Sequence, residues 1–152
     1  MTTIEKVRRI DMPKVSPEVY KAMVALDSAA RQDLDPDLAE LIKIRASQMN
    51  HCAFCVDMHT RDARKRGLSE QKIALLPAWE EAGDIYTEQE QAALALTEEM
   101  TDLTRKHVSD DVYVRAAAAF TERELGQVVA MALTINAWNR IGVTTRLQPP
   151  RR

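Results

Sequence analysis

Helix starts recur along this sequence, and they constrain its fold more than any other feature does. Ser16-Pro17-Glu18 places an N-cap residue before a proline at the first helical position, followed by an acid, and Asp35-Pro36-Asp37 repeats the arrangement. Thr87-Glu88-Gln89-Glu90 and Thr121-Glu122-Arg123-Glu124 have capping-box form. In such a box the threonine hydroxyl and the glutamate three residues on each satisfy a free backbone N–H of the other. Ser69 and Ser109 stand as further N-caps. After these starts, apolar residues return every three or four positions, which is the period of a helix and not of a strand.

These signals predict a helix over 17–32 that buries Tyr20, Met23, Val24 and Ala30. They predict a second helix carrying Leu38, Leu41, Ile42, Arg45 and Met49. A third begins near Cys52 and runs to Arg66, with Gly67 as its left-handed stop. Ser69 opens a shorter helix that ends before Pro77, and Trp79 follows in a connector closed by Gly83. The box at Thr87 leads through Ala92, Leu94, Leu96, Met100 and Leu103, and Ser109 starts a helix across Val112, Val114 and Phe120. The box at Thr121 opens the most apolar stretch, 125–138, which belongs at the centre of the fold or at a subunit interface. Pro149, Pro150 and the final arginines read as a frayed tail. With four glycines and six prolines in 152 residues there is little turn chemistry to join many short strands. The expectation is one all-α domain over residues 1–152, built of six to eight helices.

Net charge is −2, which gives no global reason to bind nucleic acid or an anionic membrane. The basic cluster Arg61, Arg64, Lys65 and Arg66 reads as a solvated face near a helix C-terminus. Met1 to Ile10 holds no apolar run, and nothing approaches the ~20 apolar residues that span a bilayer. A cytoplasmic location is expected, with no membrane partner. In that compartment a static structural disulfide is unusual, so Cys52 and Cys55 ask for another explanation.

The chemistry is concentrated between Glu40 and His59. A helix turns about 100° per residue, so Cys55 lies ~60° and His59 ~20° from Cys52, and all three share one face. Cys55 and His59 form an i, i+4 pair. Unpaired N–H groups at a helix start favour a thiolate, and an imidazole one turn on can accept its proton. Two cysteines at this spacing can attack, be oxidised and be resolved within one chain. Zinc is the competing reading, with Cys52, Cys55 and His59 joined by Glu40 or His51. Three ligands on one helical face close poorly around a tetrahedral ion, and no second Cys-x-x-Cys is present. Buried structural cysteines with an incidental histidine remain a third. Elsewhere, His51 reads as an exposed residue before the helix, His107 as a surface residue, and Trp79 and Trp138 as packing. Met58 reads as core or interface filler, and Asp62 as the partner of a nearby arginine.

Glu40, eleven intervening residues, Cys52-Ala-Phe-Cys55, three residues and His59 resemble the signature of the AhpD-like branch of the carboxymuconolactone decarboxylase superfamily. The helical order and Ile135-Asn136-Ala137-Trp138-Asn139-Arg140 extend the likeness over most of the chain. The resemblance implies an antioxidant thiol peroxidase with the cysteine pair at the N-terminal end of a central helix. It makes Cys55 the residue attacking the peroxide, Cys52 the resolving thiol, and His59 with Glu40 a proton relay. It implies no metal or other cofactor, a hydroperoxide substrate, and a lipoyl-protein or thioredoxin-like reductant. A homo-oligomer, trimer or hexamer, is also implied. Phe54 stands where that branch has a second histidine, a departure that argues against fast peroxide turnover. A disulfide reductase or adaptor feeding a separate peroxidase, and a redox-sensing scaffold, are the alternatives.

Overall fold

Every regular element in the computed structural model, which describes residues 7–152, is helical. The reading of the N-terminus as free of a leader falls, for residues 1–6, outside the described residues. The helices are α1 (Met12–Val15), α2 (Pro17–Ala30), α3 (Pro36–Met49), α4 (Ala53–Lys65), α5 (Glu70–Leu75), α6 (Glu88–Thr101), α7 (Asp110–Ala119) and α8 (Glu122–Thr145). Two 3₁₀ segments, Leu76–Glu81 and Gly83–Ile85, connect α5 to α6. The expected all-helical architecture is therefore borne out, at the upper end of the expected number among the described residues.

The caps explain where the helices begin. Asp35 accepts from the N–H groups of Asp37 and Leu38, Ser69 from Lys72, and Ser109 from Val112. Thr87 and Thr121 form complete capping boxes with Glu90 and Glu124. Ser16 is the exception, since its side chain makes no cap bond. The short helix α1, unforeseen in the sequence, ends at that residue, and the Ser16 N–H is bonded to the Met12 carbonyl. Gly67 ends the α4 segment at φ 91°, a left-handed value that glycine adopts without steric cost.

Helix α3 is central and packs against α4, α6 and α8. Its Leu38 and Ile42 join Leu96, Val128, Met131 and Ile135 in the larger apolar core. Its Leu41 and Ile44 join Ile73, Leu76, Trp79 and Leu94 in a second core on the α5 side. A helix apolar on two sides can serve both, which is why α3 sits between them. Trp79 is buried, as expected of a packing residue, and its indole N–H donates to Glu98 at 2.7 Å.

Two expectations need correction. Of the residues assigned to the buried side of α2, Ala30 alone is fully buried, while Tyr20 and Val24 are exposed. Helix α2 lies on the outside of α8 with much of its apolar surface uncovered. The terminal arginines are not simply frayed, because Arg152 grips Asp57 of α4 with two hydrogen bonds of 2.7 and 2.9 Å. At the other end, Arg9 donates to the carbonyls of Val143 and Thr144 in the last turn of α8, where carbonyls run short of intrahelical partners. Among the described residues no helix is long and apolar enough to cross a membrane.

Because α8 begins at an exposed capping box, Thr121→Ala should remove the cap without disturbing the core. We expect a loss of about 1 kcal/mol in urea unfolding with an unchanged m-value. An unaltered midpoint would show that the box contributes nothing to the start of α8.

Candidate active site

The site begins at the corner between α3 and α4. Asn50 ends α3, and His51 turns the chain at φ 57°, a left-handed conformation in which histidine is enriched. His51 is exposed, as expected. Cys52 is then extended, and its N–H donates to the Ser47 carbonyl at 3.0 Å. Helix α8 holds this corner from behind. The Asn50 amide donates to the side-chain oxygens of Asn136 and Asn139 at 2.9 and 3.0 Å. The Asn139 amide in turn donates to Ser47 Oγ at 2.9 Å. Two asparagines of the 135–140 segment are thus structural hooks for the cysteine-bearing turn.

Cys52 is the N-cap of α4 and Cys55 lies in its first turn. The two are joined in a disulfide with Cα atoms 5.3 Å apart. The Cys55 N–H also points at Cys52 Sγ, at 3.3 Å. Both residues are almost fully buried, and so is His59 one helical turn further on. Cys55 and His59 share a face, as their spacing predicts, whereas Cys52 is the extended N-cap and opens to a different space.

Glu40 of α3 points into the same buried region. Its Oε2 lies 3.5 Å from His59 Nδ1, a charge contact rather than a made hydrogen bond. Its Oε1 accepts from Lys43 Nζ at 2.9 Å, and the Arg31 guanidinium lies 4.0 Å away. Burial alone would push the Glu40 carboxyl up. Contact with His59 and the Lys43 ammonium outweighs that and holds it below its ordinary range. Burial pulls Lys43 down, against the attraction of Glu40.

The sequence reading missed Lys43. The available signal was a lysine three residues after Glu40 and flanked by Ile42 and Ile44. Asp62 is also placed differently from expectation. It pairs with no arginine among the described residues, and its carboxylate lies with one donor atom each of Glu40 and His59 within 4.8 Å. The cysteines are joined to each other, and Lys43 supplies a cation to Glu40.

The two cysteines border different spaces. Cys55 and His59 line a cavity of about 430 Å³ walled by Tyr20, Val24, Phe54, Met58 and Trp138. Tyr20 and Trp138 meet edge to face with centroids 5.4 Å apart. Trp138 packs against the larger core, as expected, and also walls this cavity, whereas Met58 is exposed and faces the cavity. Cys52 instead lines a groove of about 450 Å³ on the other side, among Gln48, His51, Asp57, Arg64 and Arg152. The first is walled chiefly by apolar residues, and the second is bordered mostly by residues with polar or charged ends.

Residues 17–99 match the model of the carboxymuconolactone decarboxylase family. An uncharacterized Bacillus subtilis protein, YdfG, is 42% identical over 90% of this chain and 92% of its own. A crystal structure of a protein of unknown function from Agrobacterium tumefaciens, provisionally named antioxidant defence protein AhpD, superposes with a TM-score of 0.91. It is 40% identical and covers 96% of this chain and 100% of its own. The debrominase Bmp8 shares the fold at a TM-score of 0.78 and 20% identity, over 91% of this chain and 74% of its own.

The lowered Glu40 carboxyl carries a pH consequence. The native protein binds that proton less readily than the unfolded chain. The resulting stability is present above the ordinary carboxylate range and is lost as pH falls through the lowered value. Urea unfolding from about pH 7 to about pH 2 should show a shallower acid limb for Glu40→Gln than for the wild type. Identical limbs would remove Glu40 from the acid response.

Proposed function

The chain belongs to the carboxymuconolactone decarboxylase family, in its AhpD-like branch, and from that premise we propose that it is a thiol peroxidase cycling between a Cys52–Cys55 dithiol and disulfide. The observation that carries the reading is that Cys55 and His59 share the apolar cavity while Cys52 does not. An organic hydroperoxide in that cavity meets Cys55 first. His59 takes the Cys55 proton, and the thiolate attacks the terminal peroxide oxygen. A sulfur–oxygen bond forms, the oxygen–oxygen bond breaks, and the alkoxide leaves with the proton held by His59. Cys52 then attacks the sulfenic acid at Cys55, forming the disulfide and releasing water. Two thiols are oxidised as one hydroperoxide is reduced to an alcohol. A dithiol donor, a lipoyl-protein or thioredoxin-like protein, returns the two electrons, which suits a cytoplasmic enzyme. Glu40, kept ionised by Lys43, orients the imidazole and steadies its charged form.

Phe54 between the cysteines favours one other reading, a disulfide reductase or adaptor that passes electrons to a separate peroxidase. Consumption of cumene hydroperoxide with dihydrolipoamide as donor separates the two. Cys55-dependent consumption, abolished in Cys55→Ser, is expected. Disulfide reduction without peroxide loss would select the adaptor.

His59→Ala and Glu40→Gln should each slow peroxide-driven thiol loss by roughly 10²–10⁴-fold. The double variant should be little worse than the poorer single one, because relay residues act together. Wild-type rates in both single variants would rule out the relay. We also propose a homo-oligomer, a trimer or hexamer, in which exposed Val15, Val19 and Val24 on α1 and α2 become covered. Light scattering that reports a monomer at micromolar concentration would exclude it.

A further inference from the structure

We infer that Gly142 is a positioning residue for the redox pair, and that its missing side chain gives the oxidised sulfurs their room against α8. The glycine lies near the end of a long helix, in a conformation any residue can adopt, so turn geometry does not explain it. Within a helix, glycine is about 1 kcal/mol less favourable than alanine. The position is buried, and its surroundings supply the reason. A Cβ built on Gly142 would lie 2.8 Å from Cys52 Sγ and 3.4 Å from Cys55 Sγ. Non-bonded heavy atoms attract best at about 3.5–4.0 Å, so the first distance is a clash.

The clash depends on redox state. In the disulfide neither sulfur can retreat, because each is bonded to the other. Cys52 is also tied to the corner through its N–H bond to Ser47. In the dithiol, Cys52 is released to turn about χ1 toward the polar groove that it borders. An alanine at 142 therefore disfavours the disulfide more than the dithiol. Gly126 provides an internal comparison, since it lies on the same helix and a Cβ there would meet nothing within 4 Å.

The inference rests on the dithiol–disulfide cycle proposed above but not on peroxide as the oxidant, and its test uses none. Protein is equilibrated with mixtures of reduced and oxidised dithiothreitol. The reductant's two thiols close into a ring disulfide as the Cys52–Cys55 bond opens, and the two-mass-unit difference is counted by mass spectrometry. Gly142→Ala should shift this equilibrium about tenfold or more toward the dithiol, equivalent to about 30 mV. Its oxidised form should melt below oxidised wild type, while its reduced form melts at or above reduced wild type. Gly126→Ala should leave the equilibrium unchanged. Should Gly142→Ala fold poorly in both states, Cys52→Ala in the same chain should restore stability by removing the clashing sulfur. An equilibrium within about twofold of wild type, equal destabilisation of both redox states in a variant that folds, or, in one that folds poorly, no rescue by Cys52→Ala would each overturn the inference.

Discussion

A carboxylate taken out of water needs compensating charge, and much of this molecule is arranged around one. Glu40 is almost wholly buried in the middle of the central helix. An unpaired ion there would cost several kcal/mol even after relaxation. Lys43, one turn along α3, answers one carboxylate oxygen, and His59 of α4 faces the other. The second contact requires α4 to dock on α3 in one orientation. That orientation leaves the start of α4, with its cysteines, at the edge of the buried region. Electrostatic satisfaction and placement of the paired sulfurs are thus one constraint.

Helix α8 supplies the other half of the frame at three successive levels. Asn136 and Asn139 hold the α3–α4 corner by hydrogen bonds, Trp138 walls the apolar cavity, and Gly142 lets the helix come close to the disulfide. Asn136, Asn139 and Gly142 follow one another three residues apart and Trp138 stands four before Gly142, so they line one side of the helix. A single rigid element therefore sets sulfur position, cavity shape and clearance together.

The fold alone does not choose the reaction. A debrominase shares it at low identity, so any function has to be argued from the site. What distinguishes this site is its division. One cysteine shares an apolar cavity with an imidazole, and the other borders a polar groove. Such a division suits a pair in which one sulfur meets a small organic molecule and the other meets a hydrophilic donor.

Much was legible in the sequence, because caps and apolar periodicity are local. Thr87, Thr121, Asp35 and Gly67 act through backbone groups a few residues away, so their roles can be read without the fold. The common face of Cys55 and His59 is likewise a matter of helical pitch. The exposure of Tyr20 and Val24 was not legible, since periodicity marks an apolar face without saying what covers it. Nor were Lys43, Asp62 and Gly142. A buried lysine and a solvated one look alike until a second helix closes over them. Gly142 reads as an ordinary weak point in a helix until two sulfurs from another element are found within reach of its absent Cβ. The sequence by itself determined the helices, their ends and the cysteine–histidine face, because those depend on neighbours along the chain. Only the tertiary structure decided which charges share a carboxylate, which cavity each sulfur meets and where a methyl group has no room, because those depend on neighbours in space.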